Sequence, residues 1–116
     1  MKFSHRNVDG MENTVVVELK GKLTGGPEAE EFRDLFKTLT SEGKIQVVIN
    51  LKNVDWIAST GIGILIRGYK TVREANGDVI LVHVGERTQQ VFNVLRLEHI
   101  FRIMETEEDA FKAFKS

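Results

Sequence analysis

Two adjacent hydroxyl groups, those of Ser59 and Thr60, stand between two segments of different character. The apolar run before them is typical of a buried strand, and the segment after them has helical spacing. Gly61 and Gly63 follow directly and leave the hydroxyls with little side-chain cover. A hydroxyl at the start of a helix is suited to cap the first turn. The same position suits a phosphoryl group, since free backbone N–H groups and the positive end of the helix dipole favour its charge.

The rest of the chain contains no recognisable catalytic or cofactor motif. His5, His83 and His99 lie far apart and there is no cysteine, so neither a shared metal site nor a thiolate nucleophile is expected. The Gly-x-Gly segment at positions 61–63 lacks the third glycine of a dinucleotide-binding loop. Ser59 and His83 come without the sequence motif of a hydrolase. We therefore expect no enzymatic activity, no cofactor and no metal.

The composition favours a single domain spanning residues 1–116. Sixteen basic and seventeen acidic residues give a formal net charge of −1, which argues against the basic face of a nucleic-acid-binding protein. No apolar run approaches the roughly 20 residues that cross a bilayer, and the first residues lack the apolar centre of a signal peptide. We expect a soluble, cytoplasmic protein that neither contacts nucleic acid directly nor inserts into a membrane.

Hydrophobic periodicity and turn residues predict an α/β fold, with a mixed sheet of four to five strands and about four helices packed on it. An opening hairpin turns at Asp9 and Gly10, and the later strands alternate with helices, which implies parallel pairing. The predicted strands are residues 2–7, 14–19, 44–51, 78–84 and 101–104. The first predicted helix begins at Pro27, and the next two span residues 60–75 and 88–97. The last predicted helix follows Thr106, which precedes Asp109 by three residues as in a capping box.

The helix after Ser59 carries an unusual stripe of small residues. The apolar face that should pack on the sheet comprises Ile62, Leu65, Ile66, Tyr69 and Val72. The small stripe comprises Gly61, Ile64, Gly68, Thr71 and Ala75. Glycine inside a helix costs about 0.5–1 kcal/mol relative to alanine, so two glycines on one stripe require a reason. Either a neighbouring segment of the chain packs closely there, or a partner protein does.

The segment VVINLKNVDWIASTGIGILIRGYK, residues 47–70, resembles the signature of STAS domains of the anti-sigma factor antagonist family. That signature reads as a strand followed by aromatic-hydrophobic-Asp-Ser-Ser/Thr-Gly-Leu/Ile-Gly. Gly21-Lys22-Leu23 resembles the family's Gly-x-Leu/Ile, and LEHIFRI, residues 97–103, resembles its Leu-x-x-Ile-Phe ending. The resemblance thus extends over nearly the whole chain.

This resemblance implies a binding switch rather than a catalyst. In the family, the unmodified antagonist binds an anti-sigma factor that is also a serine kinase, and so frees a sigma factor. The kinase then phosphorylates a serine of the antagonist, which ends the interaction, and a phosphatase resets it. That serine corresponds to Ser59 here. The alternative is a STAS module that serves as a fixed structural subunit, for example of a transporter or signalling complex, with Ser59 only capping its helix.

Two positions depart from the family pattern. Ala58 stands where the family has Asp before the serine, and Thr24 stands where it has Asp after Gly-x-Leu. Both acids lie near the phosphorylation and docking surface in the family. Residues 24–26 are expected to form an exposed loop close to Ser59, and Trp56 either covers the end of the sheet or touches the partner. The predicted partner-binding residues are Thr24, Gly25, Trp56, Ala58, Thr60, Gly61, Ile64 and Gly68.

Overall fold

The computed structural model describes residues 2–115, which form five strands and four α-helices. The strands are β1 (Lys2–Val8), β2 (Met11–Leu23), β3 (Gln46–Ile57), β4 (Asp78–Val82) and β5 (Arg102–Met104). The α-helices are α1 (Glu28–Ser41), α2 (Ser59–Glu74), α3 (Glu86–Val94) and α4 (Glu107–Lys115), with a 3-10 turn at Leu97–His99. The predicted α/β fold is confirmed. None of the helices in this part of the chain is long and apolar enough to cross a membrane.

One mixed sheet contains the described strands in the order β1-β2-β3-β4-β5. β1 and β2 are antiparallel, and Gly10 in the turn between them has a φ of 77°, a conformation that favours glycine. The pairs β2–β3, β3–β4 and β4–β5 are parallel. Both the opening hairpin and the parallel pairing of the later strands are therefore confirmed.

Strands β2 and β3 extend further than their apolar patterns predict. The patterns end at Leu19 and Leu51, whereas the strands continue to Leu23 and Ile57. Most side chains in the extension of β3 are exposed, so the hydrophobic signal of a buried strand fades there. The extension carries the ends of both strands beyond β4, whose pairing with β3 stops at Asn50.

Two apolar cores lie on opposite faces of the sheet. On one face, residues of α1, α2 and α3 pack over alternate positions of the central strands, including Val47 and Ile49 of β3. On the other face, α4 packs Ala110 over a smaller cluster that includes Val48 and Ile80. Because β3 is covered on both faces, its first half is apolar at consecutive positions, as predicted for a central strand.

The small stripe of α2 faces the protein's own α1 and the end of β2. A Cβ atom at Gly68 would lie 2.9 Å from Phe36 Cε2 and 3.2 Å from Phe32 Cε1, both on α1. A Cβ atom at Gly61 would overlap the backbone carbonyl of Leu23. These contacts account for both glycines by close packing of neighbouring segments, the first of the two explanations that the sequence left open.

Polar contacts fasten the start of α4 to the sheet. The Asp109 N–H donates to the Thr106 hydroxyl at 3.1 Å, as the capping pattern predicts. The Glu107 carboxylate accepts hydrogen bonds from Asn50 of β3, at 2.8 Å, and from Arg6 of β1. Burial alone would raise the pKa of Glu107, but the hydrogen bonds from Asn50 and Arg6, together with the nearby positive charge, hold the pKa below its ordinary value. The charged carboxylate therefore ties α4 to both strands.

Candidate functional site

The extended ends of β2 and β3 place two chain segments side by side. Leu23, the last residue of β2, pairs with Ile57, the last residue of β3. The loop at residues 24–26 follows the first strand, and Ala58 with α2 follows the second. The Leu23 carbonyl accepts a hydrogen bond from the Ala58 N–H at 3.0 Å. The expected proximity of the loop to the start of α2 is confirmed.

Thr60 links the start of α2 directly to this loop. Its hydroxyl donates a hydrogen bond to the Thr24 carbonyl. Gly25 lies against the same side chain, since a Cβ atom on Gly25 would be 3.1 Å from Thr60 Cβ and 3.4 Å from Thr60 Oγ1. Gly25 and Gly26 have φ angles of 82° and 96°, which other residues rarely adopt. The loop conformation explains both glycines, and the close approach of Thr60 adds a second reason for Gly25.

Ser59 is the first residue of α2, and its hydroxyl side chain is exposed. The capping position is occupied by Ala58, which has an extended backbone (φ −95°, ψ 167°) and makes no capping hydrogen bond with its side chain. The interpretation of Ser59 or Thr60 as the N-cap is therefore wrong, because the helix begins one residue earlier than predicted. Within residues 2–115 the Ser59 hydroxyl makes no hydrogen bond.

The first turn of α2 also presents backbone N–H groups that lack helical acceptors. The first intrahelical bond runs from the Ile62 N–H to the Ala58 carbonyl, at 3.0 Å. The N–H groups of Ser59, Thr60 and Gly61 precede this bond and have no carbonyl one turn earlier in the helix. This turn contains no acidic residue, so no carboxylate of its own offsets the positive end of the helix dipole.

Trp56 contributes a large apolar side chain next to these hydroxyls. It is the penultimate residue of β3 and is 44% exposed. Its register partner on β2 is Lys22, which is exposed as well. Among the described residues, Trp56 is not one of the side chains that pack against either apolar core, and its exposed part is available to a partner. Both roles that the sequence left open, covering the end of the sheet and touching the partner, therefore stay predictions.

The predicted site residues separate into an exposed group and a buried group. We call the first group the strand-end surface; it consists of Thr24, Gly25, Trp56, Ala58, Ser59 and Thr60, all exposed or partly exposed. The second group, Gly61, Ile64 and Gly68, is buried on the inner side of α2. Sequence reasoning did not assign a role to Leu23, whose carbonyl joins the two segments. The Gly-x-Leu resemblance was the available signal for it.

Residues 5–110 match the family model of the STAS domain. The chain belongs to the STAS domain family. BtrV of Bordetella bronchiseptica, described as an anti-sigma factor antagonist, is 26% identical over 116 residues, which cover 100% of this chain and 97% of BtrV.

Solved structures show the same STAS fold. The crystal structure of a protein from Thermotoga maritima, described as an anti-sigma factor antagonist, matches with a TM-score of 0.85 at 21% identity, covering 98% of this chain and 95% of that one. The Bacillus cell fate determinant SpoIIAA in its phosphorylated form matches with a TM-score of 0.75 at 23% identity, covering 97% of this chain and 99% of that one.

In this STAS domain the strand-end surface carries no carboxylate. Ala58 presents only a methyl group at the capping position of α2. Thr24 has an exposed side chain, while its carbonyl accepts the Thr60 hydroxyl. A partner approaching this surface would meet hydroxyl groups, glycine backbone and an indole ring.

Proposed function

We propose that this STAS domain protein is an anti-sigma factor antagonist whose Ser59 controls its binding to an anti-sigma serine kinase. The unmodified protein binds the kinase through the strand-end surface and thereby frees a sigma factor for transcription. Phosphorylation of Ser59 by the same kinase ends the interaction, and a phosphatase restores the unmodified protein. The protein acts in the cytoplasm as a binding regulator, without catalysis of its own and without direct contact with nucleic acid.

One observation carries this proposal: Ser59 presents an exposed hydroxyl, free of hydrogen bonds within residues 2–115, at the first residue of α2. A kinase must reach the acceptor oxygen and align it with the transferred phosphoryl group. Thr60 is also exposed, but its hydroxyl is engaged with the Thr24 carbonyl. The geometry therefore favours Ser59 over Thr60 as the acceptor.

The position of Ser59 also supplies a physical reason for the switch. A phosphoryl group adds a charge of about −1.5 to −2. In the free protein, the start of α2 would stabilise this charge by roughly 0.3–2 kcal/mol. In the complex, the charge would lose its water against a surface shaped for a hydroxyl. A net penalty of about 3 kcal/mol weakens binding more than a hundredfold, because about 1.4 kcal/mol corresponds to tenfold.

The relatives support both parts of this proposal. BtrV, which matches along the whole chain, is described as an anti-sigma factor antagonist. SpoIIAA shows that a protein of this fold exists in a phosphorylated form.

The test is a phosphorylation assay with ATP and the cognate anti-sigma kinase, followed by mass-spectrometric mapping of the phosphoryl group. The wild type and Thr60→Ala should be modified at Ser59, whereas Ser59→Ala should bind the kinase and remain unmodified. A wild type that stays unmodified, together with a Ser59→Asp variant that binds as tightly as the wild type, would refute the switch.

A second candidate function is that of a fixed structural subunit, and the replaced acids favour it. Ala58 and Thr24 remove the two carboxylates that family members place near the kinase-docking surface. In that case the strand-end surface forms a permanent contact in a larger complex, and modification of Ser59 has no role. The assay separates the two functions, because a structural subunit should remain unmodified and should keep its partner in Ser59→Asp.

A further inference from the structure

We infer that Thr60 is a positioning residue: its side chain holds the loop of residues 24–26 against the start of α2, so that the loop and Ser59 present one surface. The effect on a kinase rests on the proposed function. The positioning itself is a property of the free protein and is measured without a partner.

The path of the loop shows what Thr60 contributes. The Leu23 carbonyl accepts the Ala58 N–H at 3.0 Å, which fixes the point where the loop leaves the sheet. At the next residue the Thr24 carbonyl accepts the Thr60 hydroxyl, and Gly25 then passes within contact distance of the same side chain. The Gly26 carbonyl accepts the Ala29 N–H at 3.0 Å, which joins the far end of the loop to α1. Thr60 therefore holds the middle of a loop whose two ends are held by backbone bonds.

The exposure of Thr60 makes this contact separable from folding. Because the Thr24 carbonyl belongs to an exposed residue, water satisfies it when the Thr60 donor is removed. The apolar cores do not include Thr60, so the loop is released while the rest of the fold remains.

Two substitutions separate the hydroxyl from the shape of the side chain. Thr60→Val keeps the branched shape and loses the donor, whereas Thr60→Ser keeps the donor and loses a methyl group. In ¹⁵N relaxation measurements on the free protein, Thr60→Val should lower the order parameters of Gly25 and Gly26, with the amides of β4 as an unchanged reference. Thr60→Ser should restore them. Wild-type order parameters for Gly25 and Gly26 in Thr60→Val would overturn the inference.

Phosphorylation kinetics test the consequence for the partner. With ATP and the cognate kinase, Thr60→Val should raise the KM for the protein about three- to tenfold at nearly unchanged kcat. This factor corresponds to the free energy that one hydrogen bond contributes. Thr60→Ser should behave as the wild type. An unchanged KM, or a fall in kcat alone, would overturn the claim that Thr60 prepares the docking surface.

These outcomes remain distinguishable from failure of the proposed function. If the kinase leaves wild-type Ser59 unmodified, the proposed function fails, and the relaxation measurement still decides whether Thr60 positions the loop. Thermal unfolding shows that each variant is folded. If Thr60→Val is unfolded, Thr60→Ala replaces it, because it removes the same hydroxyl donor without placing a methyl group against the Thr24 carbonyl.

Discussion

The starts of α2 and α4 each follow the end of a strand, but their sequences differ in the capping residue and in the charge of the first turn. Thr106, just before α4, accepts the Asp109 N–H, whereas Ala58, just before α2, has no side chain that accepts a hydrogen bond. The first turn of α4 carries three acidic residues, and the first turn of α2 carries none. At the first position of each helix, Glu107 binds neighbouring strands, and Ser59 stands exposed.

This difference decides what each helix start is able to do. The free N–H groups and the positive dipole end of a helix attract a negative charge. In α4 the chain supplies that charge itself, and Glu107 anchors the helix to β1 and β3. In α2 neither the capping residue Ala58 nor the first turn supplies such a charge, so the start of the helix is a candidate position for a charge added later. A helix start is thus a candidate phosphorylation switch when it has neither a capping side chain nor an acidic residue in its first turn.

The largest expected effect is a loss of partner binding when a charge is placed at the open helix start. Ser59→Asp should weaken kinase binding more than a hundredfold, or by about 3 kcal/mol, whereas Ser59→Ala should bind as the wild type. Glu108→Gln, which changes the charge at the filled start of α4, is the control and should leave binding unchanged. Isothermal titration calorimetry gives the affinities. Equal affinity of Ser59→Asp and the wild type would remove the functional distinction between the two helix starts.

A somewhat smaller effect is expected on stability within the first turn of α2. Gly61→Ala should lower the free energy of unfolding by about 2–3 kcal/mol, because the added Cβ overlaps the Leu23 carbonyl. Gly63→Ala is a matched control in open space and should raise it by about 0.5–1 kcal/mol. Denaturant titration measures both. A Gly61→Ala variant of wild-type stability that no longer binds the kinase would instead assign the small stripe to the partner surface.

The anchor of α4 should respond to pH, unlike the start of α2. Glu107→Gln should lower the free energy of unfolding by about 1 kcal/mol at neutral pH, because it removes a charged acceptor for Asn50 and Arg6. Since the pKa of Glu107 is depressed in the folded protein, this stabilisation is present above the ordinary value of 4.5 and is lost as the pH falls through the folded pKa. The difference between the wild type and Glu107→Gln should therefore shrink below pH 4.5.

Denaturant titrations at several pH values check this prediction. Glu108 lies in the same turn and is exposed, so Glu108→Gln is the matched control and should change the free energy of unfolding at neutral pH much less than Glu107→Gln does. If the deficit of Glu107→Gln is the same at neutral and acidic pH, the anchoring contact does not depend on the carboxylate charge.

The smallest expected effects come from removing the capping side chain of α4 and adding one to α2. Thr106→Ala should lower the free energy of unfolding by about 1 kcal/mol, and Ala58→Ser should raise it by about 0.5–1 kcal/mol. The extended backbone of Ala58 is suitable for a capping side chain, which supports the second prediction. Thermal unfolding of the two variants measures both changes. If Ala58→Ser gains no stability, the start of α2 is less open than its geometry indicates.

Local patterns were sufficient for most of the architecture. The apolar stripe of α2 placed this helix to within one residue at each end, and the capping pattern at Thr106 placed the start of α4. The apolar pattern of β3, in contrast, predicted an end at Leu51, six residues before the strand ends at Ile57. Periodicity records burial, and the second half of β3 pairs with β2 without being covered on both faces.

The sequence by itself determined the STAS resemblance, the mixed sheet and the placement of Ser59 where a strand meets a helix, because each depends on residues close together in the chain. Only the tertiary structure decided what the neighbouring groups do. Thr60 donates to a carbonyl 36 residues away, and the small stripe packs on α1 and the end of β2. A pattern of small or polar residues indicates that a close contact exists, but its partner depends on which distant segments the fold brings together.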